Sequence, residues 1–110
     1  MNKYSCVLMK GITMPVDERT AARTAELFAT LSDANRLRIL SALLEEKEMN
    51  VGALAACLAM SESAISHQLR GLRQMRIVRA RKDGRQVYYS LDDEHIAHLF
   101  QQGLDHIHHQ

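Results

Sequence analysis

Cysteine, proline and long apolar runs are all scarce in this 110-residue sequence. The two cysteines, Cys6 and Cys57, are far apart and lack metal or redox spacing, which argues against a disulfide framework. No apolar stretch reaches the roughly eighteen residues of a membrane span, and the N-terminus lacks a secretion signal, so we expect a cytoplasmic protein without a membrane partner. The single proline, Pro15, ends an aperiodic stretch. Residues 1–16 are therefore predicted as an N-terminal arm and residues 17–110 as one domain.

The net charge of +1 conceals a strong asymmetry along the chain. Between residues 61 and 85, seven arginines or lysines stand against two acidic residues, which gives a local charge of +5. From residue 91 to the end there are four acidic residues and no lysine or arginine. The sequence therefore predicts one segment that attracts anions and a following segment that attracts cations.

Apolar periodicity and capping residues predict a mainly helical chain with one hairpin. The hairpin surrounds Asp83–Gly84, a dipeptide suited to the positive backbone angles of a tight turn. Cys57 falls in an Ala/Leu-rich helical stretch and is predicted to be a small buried residue. The predicted order is a helix over 17–31, a second helix capped by Ser32 or Asp33, a helix over 51–58, a helix over 61–75, the hairpin over 77–90 and a closing helix over about 92–108.

Two helices joined by a short break and followed by a basic hairpin are typical of a winged helix-turn-helix that binds double-stranded DNA. The second helix of the pair begins with small polar residues that can reach base edges, and its arginines can reach phosphates. Taken singly, a serine-rich helix start is often only a cap and a basic hairpin only a solvated surface, but their combination favours DNA binding. The predicted DNA-contacting residues are Ser61, Glu62, Ser63, Ser66, His67, Gln68, Arg70, Arg73, Arg81, Lys82 and Arg85.

Five of the six histidines lie between residues 95 and 110. His95 and His106 are eleven residues apart, about 16 Å along a helix, too far to share one zinc ion with bonds of about 2.1 Å. Eleven residues are nevertheless about three turns, so both histidines lie on nearly the same face. Antiparallel pairing with a second copy would bring Asp93 and His95 of one chain to His106 and His109 of the other. The spacing therefore predicts two four-ligand metal sites in a homodimer.

A histidine-rich tail or tag is the alternative to a metal site, but an apolar stripe in the same segment indicates a packed helix. Three imidazoles and one carboxylate suit tetrahedral zinc; cobalt would also fit, and nickel would require additional ligands. His98 and His108 lie outside the four-residue set and are expected at the surface. A metallohydrolase would need an open metal position and a general base. The four predicted ligands would fill every position of a tetrahedral ion, so we expect that the protein is not an enzyme.

Four segments together resemble the ArsR/SmtB family of metal-responsive repressors over about residues 20–109. The resemblance implies a mainly α (α+β) winged helix-turn-helix with a β-hairpin wing and a C-terminal dimerisation helix. It also implies a homodimer that holds operator DNA when metal-free and releases it when metal binds. The four segments are Asp33–Leu40, Ser61–Arg70, Gly84–Tyr89 and Asp93–His95.

The resemblance also bears on the choice of signal. Zinc-sensing members place an Asp and a His against two His, or a His and a Glu, of the other subunit, which the predicted ligands match. Members that sense arsenic, cadmium or lead carry thiolates where this chain has Asn50 and Gly52, so that site is missing and Cys6 is interpreted as incidental. By the same resemblance, a ligand histidine would pass its signal to a backbone carbonyl near Arg76. The alternative is a winged-helix repressor that responds to a nonmetal or thiol-redox signal, for which Cys6 and Cys57 are the available thiols.

Overall fold

A computed structural model describes residues 11–109 of the chain. Most of the predicted N-terminal arm, including Cys6, lies outside the described residues. The predicted mainly helical winged-helix architecture is confirmed. The elements are α1 (Glu18–Leu31), α2 (Ala34–Glu46), β1 (Met49–Asn50), α3 (Val51–Leu58), α4 (Glu62–Gln74), β2 (Val78–Asp83), β3 (Gln86–Leu91) and α5 (Glu94–His108).

Local capping chemistry determines where each of these helices begins. In every case a side-chain oxygen of the preceding residue accepts a hydrogen bond from a backbone N–H of the first turn, which satisfies a donor that has no partner within the helix. Of the two residues predicted to cap α2, Asp33 does so, whereas Ser32 ends α1 by donating its N–H to the Ala29 carbonyl. The capping residues are Asp17, Asp33, Asn50, Ser61 and Asp93.

The three strands form one antiparallel sheet in the order β1, β3, β2. The predicted hairpin is present, but its turn is displaced by one residue from the predicted dipeptide. Asp83 pairs with Gln86 at the end of the ladder, so Gly84 and Arg85 form the two-residue loop. Gly84 has a φ of +64°, which suits glycine at the first loop position of a type II′ turn. Strand β1 was not predicted, because two residues cannot display an alternating pattern.

The core is formed by α2, α3, α4 and the start of the wing. Neither α1 nor α5 contributes a buried residue, and both expose large apolar side chains: Phe28 is 52% exposed, Leu104 47% and Ile107 65%. The prediction that Cys57 is buried is wrong. Other residues of α3 face the core, and the Cys57 thiol lies on the exposed side of the helix. The fully buried side chains are Ile39, Leu40, Leu43, Leu54, Ile65, Leu69, Leu72, Ile77 and Val78.

The outer helices make the chain more extended than a compact domain of this length. Its Cα radius of gyration is 16.1 Å, against about 13 Å expected from the usual scaling with chain length. Within residues 11–109, no helix is long and apolar enough to cross a membrane.

Candidate nucleic-acid interface and metal centre

Helices α3 and α4 form the helix-turn-helix. Ala59 adopts a left-handed conformation with φ +54° and ends α3, and Ser61 then caps α4 by accepting a hydrogen bond of 3.0 Å from the Ala64 N–H. The inward face of α4 is buried through Ile65 and Leu69. Because one face of α4 is fixed in the core, its opposite face points away from the domain.

The outer face of α4 carries most of the residues predicted to contact DNA. Seven of the eight predicted residues on this helix and its cap are exposed; Gln68 is the half-buried exception. Its side-chain carbonyl accepts a 2.7 Å hydrogen bond from Arg36 Nε. The exposed residues are Ser61, Glu62, Ser63, Ser66, His67, Arg70 and Arg73.

The basic residues of the wing differ in their surroundings. Lys82 is exposed near the hairpin turn, and Arg85 is exposed within it. Arg81 lies further down β2, where its guanidinium forms an ion pair with Glu48 and lies 5.1 Å from the centre of the Tyr88 ring. Hydrogen bonding to Arg81 lowers the pKa of the Glu48 carboxyl, and the same bond raises the pKa of Arg81. Arg81 therefore already has a protein partner, which Lys82 and Arg85 lack among the described residues.

Asp93 and His95 meet at the first turn of α5. His95 Nδ1 lies 3.5 Å from Asp93 Oδ1, and the two side chains are 93% and 49% exposed, respectively. Two ligands of a tetrahedral zinc ion, each about 2.1 Å from the metal, lie about 3.4 Å apart. The observed separation therefore fits one edge of such a site.

Asp93 performs its capping role and keeps its negative charge. Its Oδ1 accepts hydrogen bonds from the N–H groups of His95 at 2.9 Å and Ile96 at 3.3 Å. Desolvation acts to raise the pKa of Asp93, but these N–H groups and the His95 ring outweigh it, so the pKa falls below its usual 3.8. A carboxylate has about four acceptor positions, so the cap leaves capacity for a cation.

His106 and His109 stand at the other end of α5. The His109 Nδ1 lies 2.7 Å from the Asp105 carbonyl oxygen, a contact in which Nδ1–H donates, so that Nε2 is the nitrogen that carries the lone pair in the neutral ring. A histidine ligand commonly has its second nitrogen held in this way. His106 borders an apolar groove, and His98 and His108 are exposed as predicted.

One chain does not bring the four predicted ligands together. Within residues 11–109, no group of three or more His, Cys, Asp or Glu side chains could hold one metal ion. The two pairs lie at opposite ends of α5, as the eleven-residue spacing requires. Asp93 and His95 thus lie at one end of the helix, and His106 and His109 lie at the other.

The apolar groove runs between α5 and the first two helices. Its walls are almost wholly apolar, which is unusual for a surface exposed to water. Its principal lining residues are Phe28, Leu31, Leu37, Phe100, Leu104 and Ile107.

Sequence reasoning missed the residues that hold the interface in position. Arg36 contacts α4 across 32 positions, and Glu48 contacts the wing across 33. Asn50 caps α3 and also donates from Nδ2 to Gln86 Oε1 at 3.1 Å, so its side chain joins α3 to the wing. Their charged or polar side chains were the only available signal, and a side-chain type does not identify a distant partner.

Comparison with known proteins gives consistent matches. Residues 33–80 match the family described as bacterial regulatory protein, arsR family. The chain is 49% identical over 87 residues to the transcriptional repressor SmtB homolog of Synechocystis, covering 79% of this chain but only 65% of that relative. It is 40% identical over 82 residues to the cadmium resistance transcriptional regulatory protein CadC homolog of Staphylococcus aureus. This match covers 74% of this chain and 68% of that relative.

A solved structure agrees with these matches. The AntR antimony-specific transcriptional repressor superposes with a TM-score of 0.80 at 30% identity and covers 92% of this chain and 90% of its own. These three proteins are named as transcriptional repressors or regulators, and none is named as an enzyme.

Proposed function

The chain belongs to the ArsR family of bacterial transcriptional regulators, not to an enzyme family, and from this premise we propose that it is a zinc-sensing repressor. In this proposal a homodimer binds operator DNA in the cytoplasm and releases it when zinc binds. The observation that carries the proposal is the arrangement of α5, which has a matched pair of ligating side chains at each end of an uncovered apolar face.

The outer face of α4 is the proposed reading surface. Its N-terminal residues Glu62, Ser63, Ser66 and His67 are exposed and can reach base edges in the major groove. Arg70 and Arg73 would contact phosphates beside them. In the wing, Lys82 and Arg85 are the cations that have no competing partner among the described residues, so they are the proposed phosphate contacts there.

A second copy of this chain is the proposed occupant of the apolar groove. Phe28, Leu104 and Ile107 are large apolar side chains that are about half exposed or more, and burying them in a symmetric interface would remove apolar surface from water. Antiparallel pairing of the two α5 helices would also bring the half-sites together. Each complete site would contain Asp93 and His95 of one chain with His106 and His109 of the other.

Zinc is the proposed signal because of the donor set. Three neutral imidazoles and a carboxylate satisfy tetrahedral zinc, and the Asp93 to His95 separation suits two adjacent ligands. Cobalt accepts the same geometry, whereas nickel would need further ligands. Residues 49–52 contain no cysteine, and Cys57 is the single cysteine among the described residues, so they offer neither a thiolate site nor a thiol pair for a soft-metal or redox signal.

Release would follow from the coupling of two equilibria. With both sites filled, the α5 helices are held in one relative arrangement, and the paired α4 helices no longer match operator half-sites about 34 Å apart. The combined affinity for the two zinc ions must then be lower on DNA by the same factor by which zinc binding lowers the affinity for DNA. Moving the dimer from almost fully bound to almost fully free requires about 5.5 kcal/mol of differential binding, shared by two sites.

The test is a zinc titration of the protein on a labelled fragment of its own promoter, followed by fluorescence anisotropy. The parent should release the DNA, and a His106→Ala/His109→Ala variant should remain bound. A His98→Ala/His108→Ala variant is the matched control, because it also loses two exposed α5 histidines but keeps the proposed ligands. Zinc-insensitive binding by all three proteins would contradict the proposal and favour another metal or a nonmetal signal.

A further inference from the structure

The Arg36 side chain joins three helices near the middle of the domain. Its Nε donates to Gln68 Oε1 of α4 at 2.7 Å, and its Nη1 donates to the Thr30 carbonyl of α1 at 3.1 Å. Its own backbone N–H donates to the capping carboxylate of Asp33 at 2.9 Å, which anchors it at the start of α2. Both Arg36 and Gln68 are half-buried, so neither is free to move as a surface side chain would.

The local sequence accommodates this contact. A Cβ atom added to Gly71 would lie 3.1 Å from Arg36 Nη2, so the glycine leaves space for the guanidinium against α4. Thr30 belongs to the last turn of α1, whose carbonyls lack partners within the helix and attract a cation. The planar guanidinium presents donors in several fixed directions, which a lysine ammonium on a flexible stem cannot reproduce.

We propose that Arg36 is a positioning residue that fixes the recognition helix α4 against the end of α1, and that Gln68 serves as its acceptor instead of reading a base. Helix α1 also borders the apolar groove through Phe28 and Leu31. Arg36 therefore provides a direct polar connection between the proposed dimer face and the proposed DNA-reading helix. This inference rests on the proposed function for its role in DNA binding, but the contact itself does not.

The test uses Arg36→Lys, Gln68→Leu and the double variant in the full-length protein. Gln74→Leu is the matched control, because Gln74 is an exposed glutamine on the same helix and makes no hydrogen bond through its side chain within the described residues. Metal-free affinity is measured for the promoter fragment and for a set of its single-base-pair variants. Backbone amide hydrogen exchange of α4 is measured by NMR without DNA.

We expect each single variant to weaken binding by about 5- to 10-fold, on the order of the net contribution of one typical hydrogen bond. The loss should be the same factor for every DNA sequence, since positioning affects all base contacts together. The double variant should bind DNA no more weakly than the more severe single variant, because the two substitutions remove the same contact. Exchange in α4 should accelerate in all three, and Gln74→Leu should leave it at the parental rate.

Two results would overturn the proposal. Loss of discrimination at a single base pair in Gln68→Leu, but not in Arg36→Lys, would make Gln68 a base reader. Parental affinity in Arg36→Lys with only a lower melting temperature would make the contact merely structural. If the parent itself binds no promoter DNA, the proposed function fails, and the exchange measurement still decides the positioning role: parental exchange in both single variants would refute it.

Discussion

Arg81 donates two parallel hydrogen bonds to the Glu48 carboxylate, from Nε to Oε2 at 2.9 Å and from Nη2 to Oε1 at 2.8 Å. Glu48 lies immediately before β1, whereas Arg81 lies in β2 opposite Tyr88. Such a bidentate pair fixes direction as well as distance. The pair therefore connects the wing to the segment that leads into the helix-turn-helix.

The first prediction concerns the acid sensitivity of this connection. The pKa of Glu48 in the folded protein is lowered from its usual 4.5. The ionised Glu48 carboxylate therefore contributes its full stabilisation above about pH 4.5, and this stabilisation is lost as the pH falls through the lowered pKa. Glu48→Gln should therefore be less stable than the parent at neutral pH, and the difference should vanish in acid. Urea unfolding from neutral pH to about pH 3 measures it. A difference independent of pH would show that the lost stability does not come from the ionised carboxylate.

The second prediction distinguishes the cations of the wing by the salt dependence of DNA binding. Lys82→Ala and Arg85→Ala should each reduce the slope of log affinity against log salt by about 0.9, because each removes one phosphate contact. Arg81→Ala, the matched control, should change the slope less, since Glu48 already neutralises this arginine. Equal reductions at all three positions would mean that the ion pair opens on DNA.

The third prediction concerns the apolar face of α5. Ile107 is 65% exposed in the single chain, and Ile107→Glu would place an unpaired charge in the proposed interface twice per dimer. Dimer affinity should fall by about 100-fold or more, as expected for burying uncompensated polar groups. Gln101→Glu adds the same charge at an exposed α5 position outside the groove lining. Sedimentation equilibrium compares them, and an undiminished dimer in Ile107→Glu would place the interface elsewhere.

The fourth prediction uses Gly71 to separate helix stability from helix position. Alanine in a helix interior is favoured over glycine by about 1 kcal/mol, yet the added Cβ at Gly71 would crowd Arg36 Nη2. Gly71→Ala should therefore bind promoter DNA more weakly without a lower melting temperature. Calorimetry and anisotropy on the same sample measure the two effects. Parental DNA affinity would indicate that the guanidinium can shift without moving α4.

Sequence reasoning succeeded where the determining interactions are local. Ser61 caps the helix that follows it through a hydrogen bond three residues away, so the local sequence located the start of α4, and α5 begins within two residues of its predicted start. Gly84 marked the hairpin because the turn requires a positive φ. The placement of His95 and His106 on one helix face stays a prediction from helical periodicity.

The remaining features depend on contacts between distant parts of the chain. Nothing near Arg36 in the sequence indicates Gln68 as its acceptor, and nothing near Glu48 indicates Arg81. The exposure of Cys57 depends on which side of a short, uniformly apolar helix meets the core. These outcomes are set by tertiary packing, which residue spacing does not encode.

The most direct test of the shared metal site mixes two defective chains. One carries Asp93→Ser and His95→Gln, where serine retains the helix cap, and the other carries His106→Ala and His109→Ala. A purified heterodimer would contain one site with all four ligands and one with none, whereas each homodimer would contain only half-sites. We predict that the heterodimer binds one zinc ion with parental affinity and that both homodimers bind far more weakly. A heterodimer that binds no better than the homodimers would contradict a site shared between subunits.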